Sequence, residues 1–119
     1  MNNTEGWQKQ IQENTMIGKP TQSKVLLKGF VKQTEYECGR YIARRLQFAD
    51  GSHDVIRINP VCPGMPAAEI NDSADPVIVF ESLILPYTEL DTFSEYLKEL
   101  NEWIKYFKKI FFDDEKAGS

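Results

Sequence analysis

Hydrophobic and polar residues alternate along much of residues 24–58, which is the pattern of β-strands that bury one face. Three stretches show it: KVLLKGFVK at 24–32, RYIARRLQF at 40–48 and DVIRI at 54–58. TEYECG is expected to turn the chain after the first stretch. Asp50-Gly51 predicts a hairpin after the second, because glycine tolerates the positive φ of tight turns. We therefore expect three strands that run antiparallel in chain order.

The same alternation predicts which side chains leave the core. The predicted inward side chains are Val25, Leu27, Val31, Ile42, Leu46, Phe48, Ile56 and Ile58. The predicted outward side chains include Lys28, Phe30, Lys32, Tyr41, Arg45 and Arg57. Arg44 falls on the apolar side of its strand, where its stem can pack while the guanidinium reaches water.

The chain after residue 58 divides into a loop and a further strand. Residues 59–76, NPVCPGMPAAEINDSADP, contain four prolines and a glycine, which predicts a long loop without a regular element. The segment VIVFESLIL at 77–85 is a nearly continuous apolar run that is rich in β-branched residues. It predicts a fourth strand that is buried on both faces for much of its length.

Apolar residues recur at intervals of three and four between Leu90 and Phe111, as on one face of an amphipathic helix of about 20 residues. The stripe comprises Phe93, Leu97, Leu100, Ile104, Phe107 and Phe111. Thr88 and Asp91 are helix-start residues of the N-cap type, and lysines follow in the last turns, where they match the helix dipole. The stripe can pack against its own sheet, against a second copy, or against both.

These elements predict an α+β fold, in which a four-stranded antiparallel sheet is followed by one long C-terminal amphipathic helix. With 119 residues, of which 41% are hydrophobic, the chain can bury one core. We expect a weakly ordered polar arm at residues 1–22, one domain at 23–112 and a flexible acidic tail at 113–119.

Charge is distributed unevenly, although the formal net charge is only -4. Residues 23–59 hold seven basic and four acidic residues, whereas residues 60–119 hold five basic and twelve acidic ones. The chain has no apolar run long enough for a membrane span and no signal-peptide core at its start, so a cytoplasmic protein without a membrane partner is expected.

The residue supply for catalysis is thin. His53 is the only histidine and follows a turn, and no serine has the context of a catalytic nucleophile. Cys38 and Cys62 are the only cysteines, so Cys and His cannot supply the four ligands of a zinc site. We expect a protein that is not an enzyme and that holds no cofactor or metal.

The outward residues of the predicted sheet alternate cations with aromatic rings. Lys28, Phe30, Lys32, Tyr41, Arg45 and Arg57 would lie together if the three strands pair in order. Single-stranded nucleic acid is bound by such surfaces, because cations follow the phosphates while rings stack on unpaired bases. The alternative is a solvated sheet face whose charges keep the protein soluble and prevent edge pairing.

The stretch SLILPYTELDTFSEYLKEL at 82–100 resembles the final strand and helix of the positive-cofactor-four type of transcriptional coactivator, and RYIARRLQF resembles that family's basic strand. The resemblance implies a dimer whose curved sheets bind single-stranded DNA and a role in transcription regulation. It further implies that Lys28, Lys32, Arg45 and Arg57 contact phosphates and that Phe30 and Tyr41 stack on bases.

The sequence therefore favours a non-enzymatic module that binds single-stranded nucleic acid through its sheet and that can form a homodimer. The alternative is a protein–protein interaction module, such as a small regulator or adaptor, that uses the helix stripe or the loop at 59–76.

Overall fold

The computed structural model describes residues 18–72, 75–81 and 84–113. Most of the predicted arm at 1–22 and nearly all of the predicted tail at 113–119 lie outside these ranges. The first strand begins at Thr21, slightly before the predicted domain boundary. No helix within the described ranges is both long and apolar enough to cross a membrane.

Six strands form one sheet, and each pairs antiparallel with the strand that precedes it in the chain. They are β1 Thr21–Lys28, β2 Val31–Cys38, β3 Tyr41–Phe48, β4 Asp54–Pro60, β5 Ala67–Asn71 and β6 Val77–Val79. A 3₁₀ turn at Tyr87–Glu89 leads into the helix α1, Leu90–Phe107, which ends in a π-helical turn at Lys108–Asp113. The predicted α+β class with an antiparallel sheet and one C-terminal helix is confirmed, but the sheet has six strands instead of four.

Two glycines make the hairpins that the alternation alone did not indicate. Gly29 has φ +59° and begins the two-residue turn between β1 and β2, and Gly39 has φ +64° and does the same between β2 and β3. Two-residue hairpin turns require positive φ at a central position, which glycine adopts without strain. The prediction of one strand over 24–32 is therefore wrong. The turn predicted at TEYECG is present only at its last residue, Gly39, because residues 34–38 belong to β2.

The chain between 59 and 85 also differs from its prediction. Residues 67–71, placed in a loop because of the surrounding prolines, form β5 and pair with β4. Among the described residues of the apolar run at 77–85, only Val77–Val79 form a strand. That strand is not buried, because its three side chains are 55%, 47% and 51% exposed. β6 is the last strand of the sheet, so another strand pairs with only one of its two edges.

The core lies between α1 and one side of the sheet, which we call the covered face; the opposite side is the open face. Buried helix side chains are Tyr96, Leu100, Trp103, Ile104 and Phe107, and buried apolar sheet side chains are Cys38, Tyr41, Ala43, Ile56, Ile58, Ala68 and Ile70. All of these sheet residues belong to β2, β3, β4 or β5. The two edge strands contribute no fully buried side chain among the described residues.

The predicted helix stripe serves this core. Leu100, Ile104 and Phe107 are buried in it, and the ring of Phe111 stacks on that of Phe107 with the centroids 5.9 Å apart. Two stripe residues lie outside this core: Leu97 has 38% of its surface exposed, and the ring of Phe93 packs on that of Phe80 with the centroids 5.8 Å apart. The helix begins after Glu89, which makes no side-chain capping bond, so the predicted N-cap role of Thr88 and Asp91 is wrong.

The buried side of β3 is the reverse of the predicted one. Tyr41 and Ala43 are fully buried on the covered face, whereas Ile42, Leu46 and Phe48 lie on the open face. Both sides of this strand carry apolar residues, so alternation cannot distinguish them. Tyr41 fits the core because its hydroxyl donates to the carbonyl of Tyr96 at 3.0 Å, and Ala43 is small enough to pack beneath a helix.

Replacement of Leu100 by alanine tests the assignment of the core. Because Leu100 is fully buried between α1 and the sheet, Leu100→Ala should lower the free energy of unfolding by about 2–5 kcal/mol. Leu97→Ala removes the same atoms from the same helix at a partly exposed position and should cost much less. Urea denaturation followed by tryptophan fluorescence measures both variants, and equal losses would contradict this packing.

Candidate functional site

The six residues predicted to form one binding face are separated by the fold. Lys28 and Arg57 lie on the open face, whereas Lys32, Tyr41 and Arg45 lie on the side that α1 covers, and Phe30 is in the turn between β1 and β2. The predicted arrangement on one face is therefore wrong. The hairpin at Gly29 places Lys28 and Lys32 on opposite faces, because a shift of one residue moves a side chain to the other face. Tyr41 and Arg45 are on the covered face because β3 buries the side opposite to the predicted one, whereas Arg57 keeps its predicted outward position.

Tyr41 and Arg45 are held by contacts within the molecule. Tyr41 is fully buried, and burial raises the pKa of its hydroxyl. Arg45 donates from Nε and Nη2 to the two carboxylate oxygens of Asp54, at 2.9 and 2.6 Å. Its guanidinium also lies 3.9 Å from the centre of the Phe111 ring, so it connects the turn after α1 to the sheet. Tyr41 therefore belongs to the core, and Arg45 lies at the margin of the core.

All four arginines form ion pairs, and each has a different acidic partner. Arg40 pairs with Glu99, and Arg45 pairs with Asp54. On the open face, Arg44 Nε lies 3.1 Å from Glu35 and Arg57 Nε lies 3.2 Å from Glu69.

Arg44 and Arg57 are direct cross-strand partners on β3 and β4, with Glu35 opposite Arg44 on β2 and Glu69 opposite Arg57 on β5. The two acids neutralise the two arginines between them, so these four charges sum to zero. Lys24 on β1 lies opposite Glu35 and continues the row with one more cation.

Arg40 belongs to a tighter cluster at the turn between β2 and β3. The carboxylate of Glu99 on α1 accepts hydrogen bonds from the Arg40 backbone N–H at 3.1 Å and from Arg40 Nε at 2.6 Å. It also accepts one from Trp103 Nε1 at 3.1 Å. A Cβ at Gly39 would approach Glu99 Oε2 to 2.7 Å, so this glycine provides both the turn and the room for the carboxylate.

The largest group of exposed apolar side chains lies around β6. We call the following residues the β6 surface: Val77, Ile78, Val79, Phe80, Ile84, Leu85, Tyr87 and Leu90. Their exposed fractions range from 37% to 86%. The apolar run at 77–85 is the sequence signal for this surface, and the prediction that it forms a strand buried on both faces is wrong.

Two grooves adjoin the β6 surface, with volumes of about 390 and 400 Å³. Both are lined by Phe80 and by the loop residues Pro63, Gly64 and Met65. The first extends along the open face to residues such as Arg57 and Glu69. The second extends towards the start of α1, where Ile84, Leu85, Pro86, Glu89 and Phe93 line it. The loop that was predicted to be irregular therefore shapes both grooves.

The margin of the β6 surface is acidic. Between Arg57 and Lys98 the sequence contains no lysine, arginine or histidine. It contains seven acids in that interval: Glu69, Asp72, Asp75, Glu81, Glu89, Asp91 and Glu95. All of them except the half-buried Glu69 are exposed. A surface with an apolar centre and acidic surroundings favours partners that are apolar and basic.

The two cysteines are both free and differ in burial. Cys38 is fully buried, and burial raises its pKa to about 12, whereas Cys62 is exposed in the loop that lines the first groove.

Because the thiolate is the reactive form, a disulfide reagent near neutral pH should modify one thiol per chain, and Cys62→Ser should abolish that reaction. Absorbance of the released thiol measures it, and a second equivalent should appear in denaturant. Rapid modification of Cys38 in the folded protein would contradict its placement.

The β6 surface, its two grooves and its acidic margin form the candidate site. Among the described residues, every buried side-chain nitrogen or oxygen has a hydrogen-bond partner. The ion pairs of the four arginines stabilise the fold beside this site. Comparison of the chain with family models, with curated proteins and with solved structures finds no match.

Proposed function

We propose that this protein is a non-enzymatic interaction module that binds an extended apolar segment of a partner protein at the β6 surface. The observation that carries the proposal is the exposure of a group of apolar side chains on and after a terminal strand. The helix stripe is less suited to this role, because Leu100, Ile104 and Phe107 are already used by the core.

Strand addition is the mode of binding that the geometry supports. β6 is at the edge of the sheet, and its three apolar residues include no lysine and no bulge of the kind that commonly protects an edge. Its short length and the preceding Pro76 restrict the edge that is open to pairing to a few residues. A bound strand would alternate its side chains between the two faces. Val77 and Val79 would meet one set on the open face, near the first groove, and Ile78 would meet the other set on the side of the second groove.

Charge supplies the selectivity. An apolar segment flanked by lysine or arginine would pair its ends with acids such as Asp75, Glu81 and Glu89, all exposed. A segment flanked by acids would meet like charges in the same places and bind more weakly. The preferred ligand is thus an extended apolar stretch with basic ends.

A random peptide library tests this proposal without assuming a partner. Selection of displayed peptides of about twelve residues against the protein should enrich alternating apolar sequences with basic ends. Val79→Lys should weaken the selected peptides at least tenfold in fluorescence anisotropy, because it places a cation in the apolar centre. Val61→Lys, the same substitution at an exposed valine outside the β6 surface, should leave them unaffected. Selected peptides that bind Val79→Lys as well as they bind the unaltered protein would refute the proposal.

A second candidate ligand, single-stranded nucleic acid, is favoured by one observation. At the turn between β1 and β2, Phe30 is 82% exposed and lies between the exposed Lys28 and Lys32. The carbonyl of Phe30 accepts a hydrogen bond from the N–H of Ala49 at 2.8 Å, which places this turn beside the turn that follows β3. Three of the six residues in the nucleic-acid prediction thus remain close together, and an exposed ring between cations can stack on a base.

Titration of a fluorescent oligothymidine of about 20 nucleotides at low salt tests this candidate. If a base stacks on Phe30, Phe30→Ala should weaken binding by between about fivefold and a hundredfold, which corresponds to about 1–3 kcal/mol. Tyr87→Ala is the matched control, because it removes another exposed aromatic ring that lies on the β6 surface. Absence of binding, or equal effects of the two substitutions, would count against the hairpin as a nucleic-acid site.

A further inference from the structure

We infer that the extended segment bound by the β6 surface is β1 of a second copy of this chain, so that copies associate head to tail through opposite edges of their sheets. This inference rests on the proposed function of the β6 surface and names its partner. It follows from the chemistry of the two edges, their relative direction and the register in which their side chains can meet.

The two edges carry opposite charge. Because the six strands follow one another in chain order, the charge asymmetry of the sequence becomes an asymmetry across the sheet. β1 and its surroundings hold the exposed lysines Lys19, Lys24, Lys28 and Lys32. The opposite edge, as described above, is surrounded by acids and has no basic residue between Arg57 and Lys98. Association of unlike edges is therefore attractive.

β1 also has the apolar content that the β6 surface requires. Leu27 is 78% exposed and Val25 is 42% exposed, because α1 does not reach this edge of the sheet. The strand is irregular between Gln22 and Lys24, which leaves Lys24–Lys28 as the regular part that can pair with another strand. This part is the sequence KVLLK, an apolar stretch with a lysine at each end.

The direction of the strands suits a repeated sheet. Each strand is antiparallel to its neighbour, so with six strands β1 and β6 run in opposite directions. A second copy in the same orientation, placed beside the β6 edge, would set its β1 antiparallel to β6. The combined sheet would continue the alternation without reorienting either copy.

One register satisfies both faces. Residues directly opposite each other in a ladder share a face, and Leu27 and Ile78 both belong to the covered-face side. Placing Leu27 of the second copy opposite Ile78 sets its Leu26 opposite Val79 on the open face. The same register sets Lys28 of the second copy opposite Val77, diagonal to the position of Asp75, and directs Lys24 towards Glu81.

Symmetric contacts between like edges are disfavoured by the same charges. Two β6 edges would bring two acidic margins together, and two β1 edges would bring lysines together. The favoured contact is heterologous, and heterologous contacts produce open chains or closed rings instead of a simple dimer. Because the contact is a strand edge with a modest area, association in the micromolar range is expected.

Sedimentation velocity on the unaltered protein and on two edge variants tests the inference. The unaltered protein should sediment faster as its concentration rises to about 500 µM, and added salt should weaken this association. Leu27→Glu blocks the β1 edge and Val79→Lys blocks the β6 edge, both at exposed positions where folding should be retained. Circular dichroism confirms that each variant is folded.

Each variant alone should remain a single chain. An equimolar mixture should form a particle with twice the mass of one chain and no larger species, because Leu27→Glu retains β6 and Val79→Lys retains β1. Self-association of Leu27→Glu alone would indicate a symmetric β6 contact and overturn the inference. A wild-type protein that stays a single chain at the highest concentration would overturn it as well, without recourse to a variant.

The proposed function can hold even if the self-association is refuted. If the wild-type protein is monomeric but its β6 surface still binds the selected basic-ended peptides, then the surface binds a different protein and the self-association is refuted. If neither peptides nor second copies bind and the β6 surface is inert, both proposals fail together. A synthetic peptide with the sequence of residues 21–28 provides the direct comparison, and it should bind the wild-type protein and not Val79→Lys.

Discussion

The carboxylate of Glu99 is the contact on which the position of the helix depends. It receives three hydrogen bonds, two from Arg40 and one from Trp103, and it lies largely buried between α1 and the turn that joins β2 to β3. Arg40 adds a hydrogen bond to the carbonyl of Glu95 and lies over the ring of Tyr96, so one arginine touches two turns of the helix. Hydrogen bonds to a charged group are among the stronger ones in proteins, and a buried charge that lost them would be costly. This cluster fixes α1 over the covered face and thereby determines which sheet residues are buried.

The size of one helix then explains why so much apolar surface is left exposed. A sheet of six strands is about 24 Å wide, since neighbouring strands are about 4.8 Å apart, whereas a helix is only about 10–12 Å in diameter. α1 covers the middle strands, whose side chains form the core, and cannot also cover both edges. The apolar residues of β1 and of the β6 surface are exposed for this reason. Both proposals for binding follow from a sheet that is wider than its single covering helix.

The arginines show how a fold changes the meaning of a basic stretch. In the sequence, four arginines lie between residues 40 and 57 and indicate a positively charged surface. In the structure two of them, Arg40 and Arg45, attach α1 and the turn after it to the sheet, and the other two form a neutral row with Glu35 and Glu69. The exposed cations at this end of the sheet are instead the lysines of β1 and the adjoining hairpin. Charge is separated across the sheet, from lysines at one edge to acids at the other, because a meander preserves the order of the chain in space.

Local patterns in the sequence determined the α+β class, the single C-terminal helix, the buried positions Leu100, Ile104 and Phe107, and the hairpin at Gly51. These features depend on periodicities and turn residues that act over a few positions. The hairpins at Gly29 and Gly39 are also encoded locally, by a glycine between alternating runs, but the periodicity alone does not show where such turns occur.

Only the tertiary structure decided which face of β3 is buried and that the apolar run at Val77–Val79 lies at an open edge. Both sides of β3 are apolar enough to be buried, so the choice depends on where α1 is anchored. The exposure of β6 depends on how far α1 extends across the sheet. Position relative to a distant helix is a property of packing, which the alternation of neighbouring residues does not record.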